Sequence, residues 1–380
     1  MTMSATRVGV IGLGSVGAFT AVELQQRGYE VLGFEAFGVA NDLSAVGGDT
    51  RLFRRLYREG GAYYSLIERA YELWRALDER LPTAFRECGA LALVPEDSDY
   101  ARGLQTYADQ FNVAHEVLRG NELDERFPQF TRTDGDVGYF DACGGFVRTD
   151  LVVRDAFDRA EALGAEHIAA TVTECIPHTN GVTITAEDGH SWEVDRVVVA
   201  AGARTSGILP QLKPFTTPTL QVMTWFQPDS PEAFRPSEMP VFIREGIDFH
   251  VYGAPTLDGL HVKVSGLTER RPAEFDGIAY DGQATIEDLQ DCEQLVPRIL
   301  RNVHPVPVRT AVYPELYSID RDFILDWMDA NQRVFVASAF SGKGFKMCNA
   351  IGELVATIIA EDVEPPSAFS LKRFPGWVVE

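Results

Sequence analysis

Over the first 35 residues the spacing of apolar positions changes twice. Arg7–Leu13 is a short apolar run, Ser15–Arg27 reads as a helix, and Glu30–Phe34 returns to strand character. This is the order of a βαβ unit. Ala62–Arg80 then places Tyr64, Ile67, Ala70, Tyr71, Trp74 and Leu77 three or four residues apart, and Leu151–Leu163 repeats the pattern, so both are expected as core-facing helices. Two β-rich runs, Thr183–Ala186 and Val194–Ala200, flank Glu187-Asp188-Gly189 and predict a hairpin or meander. Between Phe215 and Leu267, strands near Thr219–Phe226, Val241–Ile243, Phe249–Tyr252 and Leu260–Val264 predict an antiparallel sheet. The chain closes with a buried strand at Val334–Ala337, a glycine-rich turn and a helix over Cys348–Ile359. The fold expected is α/β: a Rossmann-like layer assembled from both chain ends, with an antiparallel-sheet (α+β) domain inserted between them.

Charge narrows the partners. The 380 residues carry 34 basic and 56 acidic side chains, a formal charge of −22, which argues against broad binding to nucleic acid or anionic membranes. An anionic ligand must find a local positive site. No apolar run reaches the roughly 18 residues of a membrane span. Met1–Arg7 reads as a polar lead and not a signal peptide, so a cytoplasmic protein is expected. The five cysteines, at 88, 143, 175, 292 and 348, have no CxxC pair or metal-type spacing and read as free thiols. The seven histidines are scattered, so spacing proposes neither a metal site nor a Ser-His-Asp arrangement.

Chemistry enters with Gly12-Leu13-Gly14-Ser15-Val16-Gly17, a GxGxxG turn between strand and helix. Its glycines allow a tight turn, close approach of a pyrophosphate and close helix packing, while the helix N-terminus offers N–H groups and a favourable dipole. Glu35 ends the second strand, where a carboxylate accepts hydrogen bonds from ribose hydroxyls. This motif does not separate FAD from NAD. A strand running into Ala200-Ala201-Gly202-Ala203 has small side chains beside which an extended cofactor can lie. Ser341–Gly344 falls between strand and helix, where N–H groups with Lys343 or Lys346 can stabilise negative charge; an ordinary turn is the other reading.

Taken together, Gly47-Gly48-Asp49-Thr50-Arg51-Leu52-Phe53-Arg54, Val197–Ala203 and Phe340–Lys346 resemble the monomeric sarcosine oxidase and N-methyltryptophan oxidase family, within the D-amino-acid-oxidase-like flavoproteins. The resemblance runs in order from about Arg7 to Ile359. It implies FAD, with the adenine end at Gly12–Gly17 and Glu35 and further contacts from Ala36, Thr50, Arg51, Val172, Ala201, Gly202 and Gly342–Lys346, including Gly344 and Phe345. It also implies an FAD-binding domain over 1–80, 145–215 and 320–380, and a substrate domain over 81–144 and 216–319. Arg51 would sit over the flavin, and Arg54 and Lys346 would bind a substrate carboxylate; taken alone, the arginine-rich run Asp49–Arg58 also reads as a solvated face. Lys263 would promote the reaction with dioxygen, against the plain reading of a strand lysine facing water. Tyr252 would orient the amine or simply pack.

Four positions depart from that family. Tyr313 stands where relatives carry the cysteine that bonds covalently to flavin, so noncovalent FAD is expected. Glu315 replaces a pocket tyrosine and Leu267 a pocket histidine. Lys343 replaces another histidine beside the flavin. Glu315 either attracts a second cationic group on the substrate or pairs with Lys343 or Arg51. The activity implied is oxidation of an amino acid's carbon–nitrogen bond, with dioxygen as acceptor and a monomer as the working unit. Alternatives are an amine dehydrogenase with another acceptor, an NAD-dependent dehydrogenase and a noncatalytic flavin-binding protein.

Overall fold

In the computed structural model, which describes residues 6–268, 271–273 and 282–378, Arg7–Ile11 (β1) is a central strand of a six-stranded sheet. Its spatial order is 324–327, 334–338, 196–199, 7–11, 30–35 and 166–169, parallel except for the Ile324–Trp327 edge. β1 pairs with Glu30–Glu35 (β2) on one side and with Arg196–Val199 on the other. A parallel sheet is covered on both faces, and successive residues here enter different cores. Val8, Val10 and Val198 join one, and Ile11, Val197 and Val199 the other. The first core holds Ser15–Gln26 (α1) and the helices Thr149–Ala162 and Cys348–Glu361; the second is closed by a three-stranded sheet over residues 172–194. The first five residues of the polar lead lie outside the described residues.

α1 is buried on almost every side because it is wedged between β1 and two helices. Its contact with Cys348–Glu361 depends on Gly352, where a Cβ would come within 2.6 Å of Phe19 Cβ and 2.7 Å of its backbone carbon. Phe19 then meets Trp74 of the Tyr64–Asp78 helix edge-on, with ring centroids 5.6 Å apart.

The second sheet has nine strands and receives the expected strands as Thr216–Phe226, Val241–Glu245, His250–Ala254 and Val262–Ser265. The sheets differ from expectation in three ways. Val241–Glu245 pairs parallel with Ala90–Pro95, so the sheet is mixed; these segments are not joined by a hairpin, and periodicity carries no strand direction. Arg309–Ser318 forms a ten-residue strand along nearly the whole length of Thr216–Phe226. The turn at Glu187–Gly189 joins Gly181–Ala186 to Ser191–Val194, while Arg196–Val199 leaves the hairpin to pair with β1.

Register decides which residues share a face, because directly opposed side chains point the same way. Trp225 opposes both Arg309 and Lys263; Met223 opposes Ser265, which opposes Tyr252; Gln221 opposes Tyr313; Thr219 opposes Glu315. One face of the sheet therefore collects Lys263, Tyr252, Tyr313 and Glu315. Substituting Gly352→Val should push α1 off the last helix and cost about 1–3 kcal/mol, read as a lower melting temperature. An unchanged melting temperature would contradict this packing.

Candidate active site

The turn after β1 opens onto a cleft that runs from Gly12 and Gly14–Val16 past Glu35 and Ala36, along Ala200–Arg204, to Glu315, Ser341, Gly342, Gly344 and Phe345. Gly12 adopts φ +91°, and a Cβ there would lie 2.6 Å from the carbonyl oxygen of Ala200. A Cβ on Gly17 would overlap the carbonyl oxygen of Gly12, so this glycine seats α1 on β1 rather than lining the cleft. At Gly14 the helix begins without a side-chain cap or an acid in its first turn. The first N–H groups of α1 thus have no capping side chain. Glu35 accepts hydrogen bonds from the N–H groups of Leu13 (3.0 Å) and Phe37 (3.2 Å), tying the glycine turn to the end of β2. Burial raises its pKa, against the opposing pull of those two bonds.

The donor set and shape fit an extended dinucleotide: an uncapped helix start for phosphate, a carboxylate at the end of β2, and a glycine-alanine floor. Val172, Ala201, Gly202, Gly342, Gly344 and Phe345 line the cleft, as does Arg51. Arg204, Phe37 and Ser44–Val46 line it as well and were not singled out from sequence. Arg204 follows the Ala-Ala-Gly-Ala run directly, and its positive charge acts on Glu35; an arginine at that offset was the available signal. Thr50 is buried beneath the lining. The Ser341 N–H donates to Leu316 O at 3.1 Å, and its Oγ accepts from Ser318 N–H at 3.1 Å, so the glycine-rich turn is laced to the Arg309–Ser318 strand.

Against the segment Gly47–Arg51 the second sheet brings the face that carries Lys263, Tyr252 and Tyr313. Tyr313 is buried, and a Cβ on Gly47 would overlap its ring. Burial, then Asp42, pushes its phenol up to about 12. Lys263 is 5% exposed and donates to the carbonyls of Gly48 (2.6 Å) and Thr50 (2.9 Å). Burial first, and then the charge of Arg51, holds its ammonium well below the usual lysine range. It stands behind the cleft wall and not in it. Arg51 donates to the carbonyls of Thr50 (2.8 Å), Ala45 (2.7 Å) and Gly47 (2.7 Å). Tyr252 is half-buried and close enough to act on Arg51 electrostatically.

Arg54 is 6% exposed and donates to Leu56 O at 2.7 Å; its Nη2 meets both Glu59 oxygens at 3.3 and 3.4 Å. Its Nε has no hydrogen-bond partner among the described residues. Lys346 Nζ donates to Lys343 O at 3.2 Å, and both cations border the Tyr57 ring, at 4.7 and 5.5 Å from its centroid. Burial, then Arg54, lowers the Lys346 pKa to about 7. Lys343 departs from expectation: its ammonium turns to Asp322 and the Tyr63 hydroxyl, each at 3.1 Å, and it does not line the cleft. Glu315 does line it and accepts from the Tyr317 hydroxyl at 3.0 Å. It forms no ion pair with Lys343 or Arg51.

The model of the FAD dependent oxidoreductase family (DAO) matches residues 7–358. The chain belongs to that family. Relatives include N-methyl-L-tryptophan oxidase of Yersinia pestis and of Yersinia pseudotuberculosis, each 31% identical over 379 residues, covering 96% of this chain and 98% of theirs. Among solved structures, NikD, an unusual amino acid oxidase essential for nikkomycin biosynthesis, aligns with TM-score 0.81 at 23% identity over 96% of this chain and 98% of that one. L-proline dehydrogenase from P. horikoshii aligns with TM-score 0.82 at 21% identity over 96% of each chain. Those two likenesses establish the shared fold. As a member of the family, the protein is an FAD-dependent oxidoreductase. No helix among the described residues is long and apolar enough to cross a membrane.

Proposed function

We propose that the protein oxidises the carbon–nitrogen bond of an amino acid or N-substituted amino acid and passes the electrons to dioxygen, with FAD held noncovalently. The observation that carries this reading is that a buried cationic pair on one ring, Arg54 and Lys346, lies within electrostatic range of Glu315, which lines the cofactor cleft on the sheet face shared with Lys263 and Tyr252. The names of the relatives, oxidases of N-methyl-L-tryptophan, support it from outside the structure.

When bound, FAD supplies a two-electron acceptor: the substrate CH–NH becomes C=N, and two electrons and two protons leave with dioxygen as hydrogen peroxide. The chain contributes binding, orientation and electrostatics. Glycine turn, α1 and Glu35 hold the adenosine and pyrophosphate end, with Arg204 adding positive charge. Arg54 and Lys346 take the substrate carboxylate; the Arg54–Glu59 contact and the unpartnered Arg54 Nε support a carboxylate ligand there. Arg51 and Tyr252 shape the pocket wall. Lys263 stands buried behind the cleft wall, where its protonated form would stabilise negative charge developing on oxygen. Glu315, with its hydroxyl partner and no ion pair to Lys343 or Arg51, supports a substrate with a second positive group.

Tyr313 offers no thiol for attachment, so acid denaturation of the holoenzyme should leave the yellow colour in the supernatant; colour in the pellet would contradict noncovalent binding. Lys263→Met should slow reoxidation by dioxygen about a hundredfold while flavin reduction by substrate changes little, measured by stopped-flow absorbance. Equal losses in both half-reactions would remove its assigned role. Glu315→Gln should lower kcat/KM for a basic amino acid about tenfold more than for its neutral isostere, and an equal change for both would refute the second-charge reading.

A further inference from the structure

Lys263 is held by a structure that does not itself line the cofactor cleft. Its two carbonyl partners, Gly48 and Thr50, flank Asp49, whose φ of +67° is uncommon for a residue with a side chain. That left-handed turn brings two carbonyls from alternate residues onto one ammonium. It is anchored twice. The Asp49 carbonyl accepts from Thr149 N–H at 3.0 Å. Its carboxylate pairs through both oxygens with Arg309, at 2.6 and 3.3 Å. Arg309 in turn lies over the Trp225 indole, 3.9 Å from the ring centroid, and Lys263 Nζ lies 5.4 Å from the same ring. Register makes this arrangement obligatory, since Trp225 is the cross-strand neighbour of both Arg309 and Lys263.

Charge points the same way. Arg51 and Arg309 both oppose a positive charge on Lys263, and Asp49 is the acid that favours it. Asp49 therefore provides the turn geometry and a compensating charge, and Arg309 holds Asp49 in place from a rim where its own side chain is 47% exposed. We propose that Asp49, Arg309 and Trp225 form a positioning clamp for Lys263 that sets the rate of the oxygen half-reaction and leaves the amine half-reaction alone. The inference rests on the oxidase reading above. The three are positioning residues, acting through Lys263.

The test uses FAD-loaded enzyme in stopped-flow, with flavin reduction and reoxidation measured separately. Arg309→Ala, at the exposed rim, and Asp49→Asn, which tolerates the left-handed backbone, should each slow reoxidation about tenfold and leave reduction within about twofold. Arg309→Lys, which keeps a cation for Asp49, should recover part of the rate. Adding Arg309→Ala to Lys263→Met should cost nothing further, because the clamp has no other target. Loss of both half-reactions together, an unchanged reoxidation rate, or additive losses with Lys263→Met would overturn the clamp. If Lys263→Met itself leaves reoxidation intact, the oxygen role of Lys263 fails and the clamp fails with it. Slow reoxidation in Lys263→Met with normal reoxidation in Arg309→Ala defeats the clamp alone.

Discussion

A buried lysine ties the nine-stranded sheet to the segment Gly48–Thr50. Removing a lysine from water costs several kcal/mol unless its charge and its N–H groups are compensated, and among the described residues Lys263 finds compensation in the carbonyls of Gly48 and Thr50, the Trp225 ring and the nearby Asp49. Gly48, Asp49 and Thr50 belong to the segment that runs past the cleft wall at Arg51. The second sheet can therefore dock in one register: with Lys263 on those carbonyls, Tyr313 falls on Gly47 and Gly48, and Glu315 reaches the cleft lining. A one-residue slip would turn all of these side chains to the opposite face.

The charge distribution follows the same logic. A chain with formal charge −22 repels anions at long range, yet FAD and an amino-acid carboxylate are both anionic. Arg51 and Arg204 line one elongated cleft, Lys263 stands behind its wall, and the start of α1 is left without a capping acid. Local focusing of positive potential in a low-dielectric cleft outweighs the net charge of the surface. Lys346, with its pKa lowered to about 7 by burial and by Arg54, carries a charge that a bound carboxylate would stabilise.

Much of the cofactor half was legible because its physics is local. A glycine turn, a following helix and an acid at the end of β2 lie within 24 residues of one another, and the structure joins them through the Leu13–Glu35 hydrogen bond. The strand and helix positions also followed from periodicity, within a few residues. What periodicity did not carry was long-range pairing: the parallel match of Val241–Glu245 with Ala90–Pro95, the departure of Arg196–Val199 from its neighbouring hairpin, and the Arg309–Ser318 strand beside Thr216–Phe226. At the site, Lys263 gave the same alternating pattern as a surface lysine, and its burial is a product of docking. Lys343 and Glu59 show the converse. The resemblance put Lys343 beside the cofactor, but Asp322, which is not part of the cleft lining, claims its ammonium; Glu59 directly follows an arginine-rich segment whose basic residues drew attention first.

The most direct measurement is anaerobic addition of amino acids to the yellow holoenzyme, followed at the flavin absorbance maximum and then by readmission of air. The account predicts bleaching by at least one amino acid with a free carboxylate, no bleaching by the corresponding decarboxylated amine, and return of the colour with one hydrogen peroxide formed per flavin. A flavin that no amino acid bleaches, or one bleached equally well by the amine without its carboxylate, would contradict it.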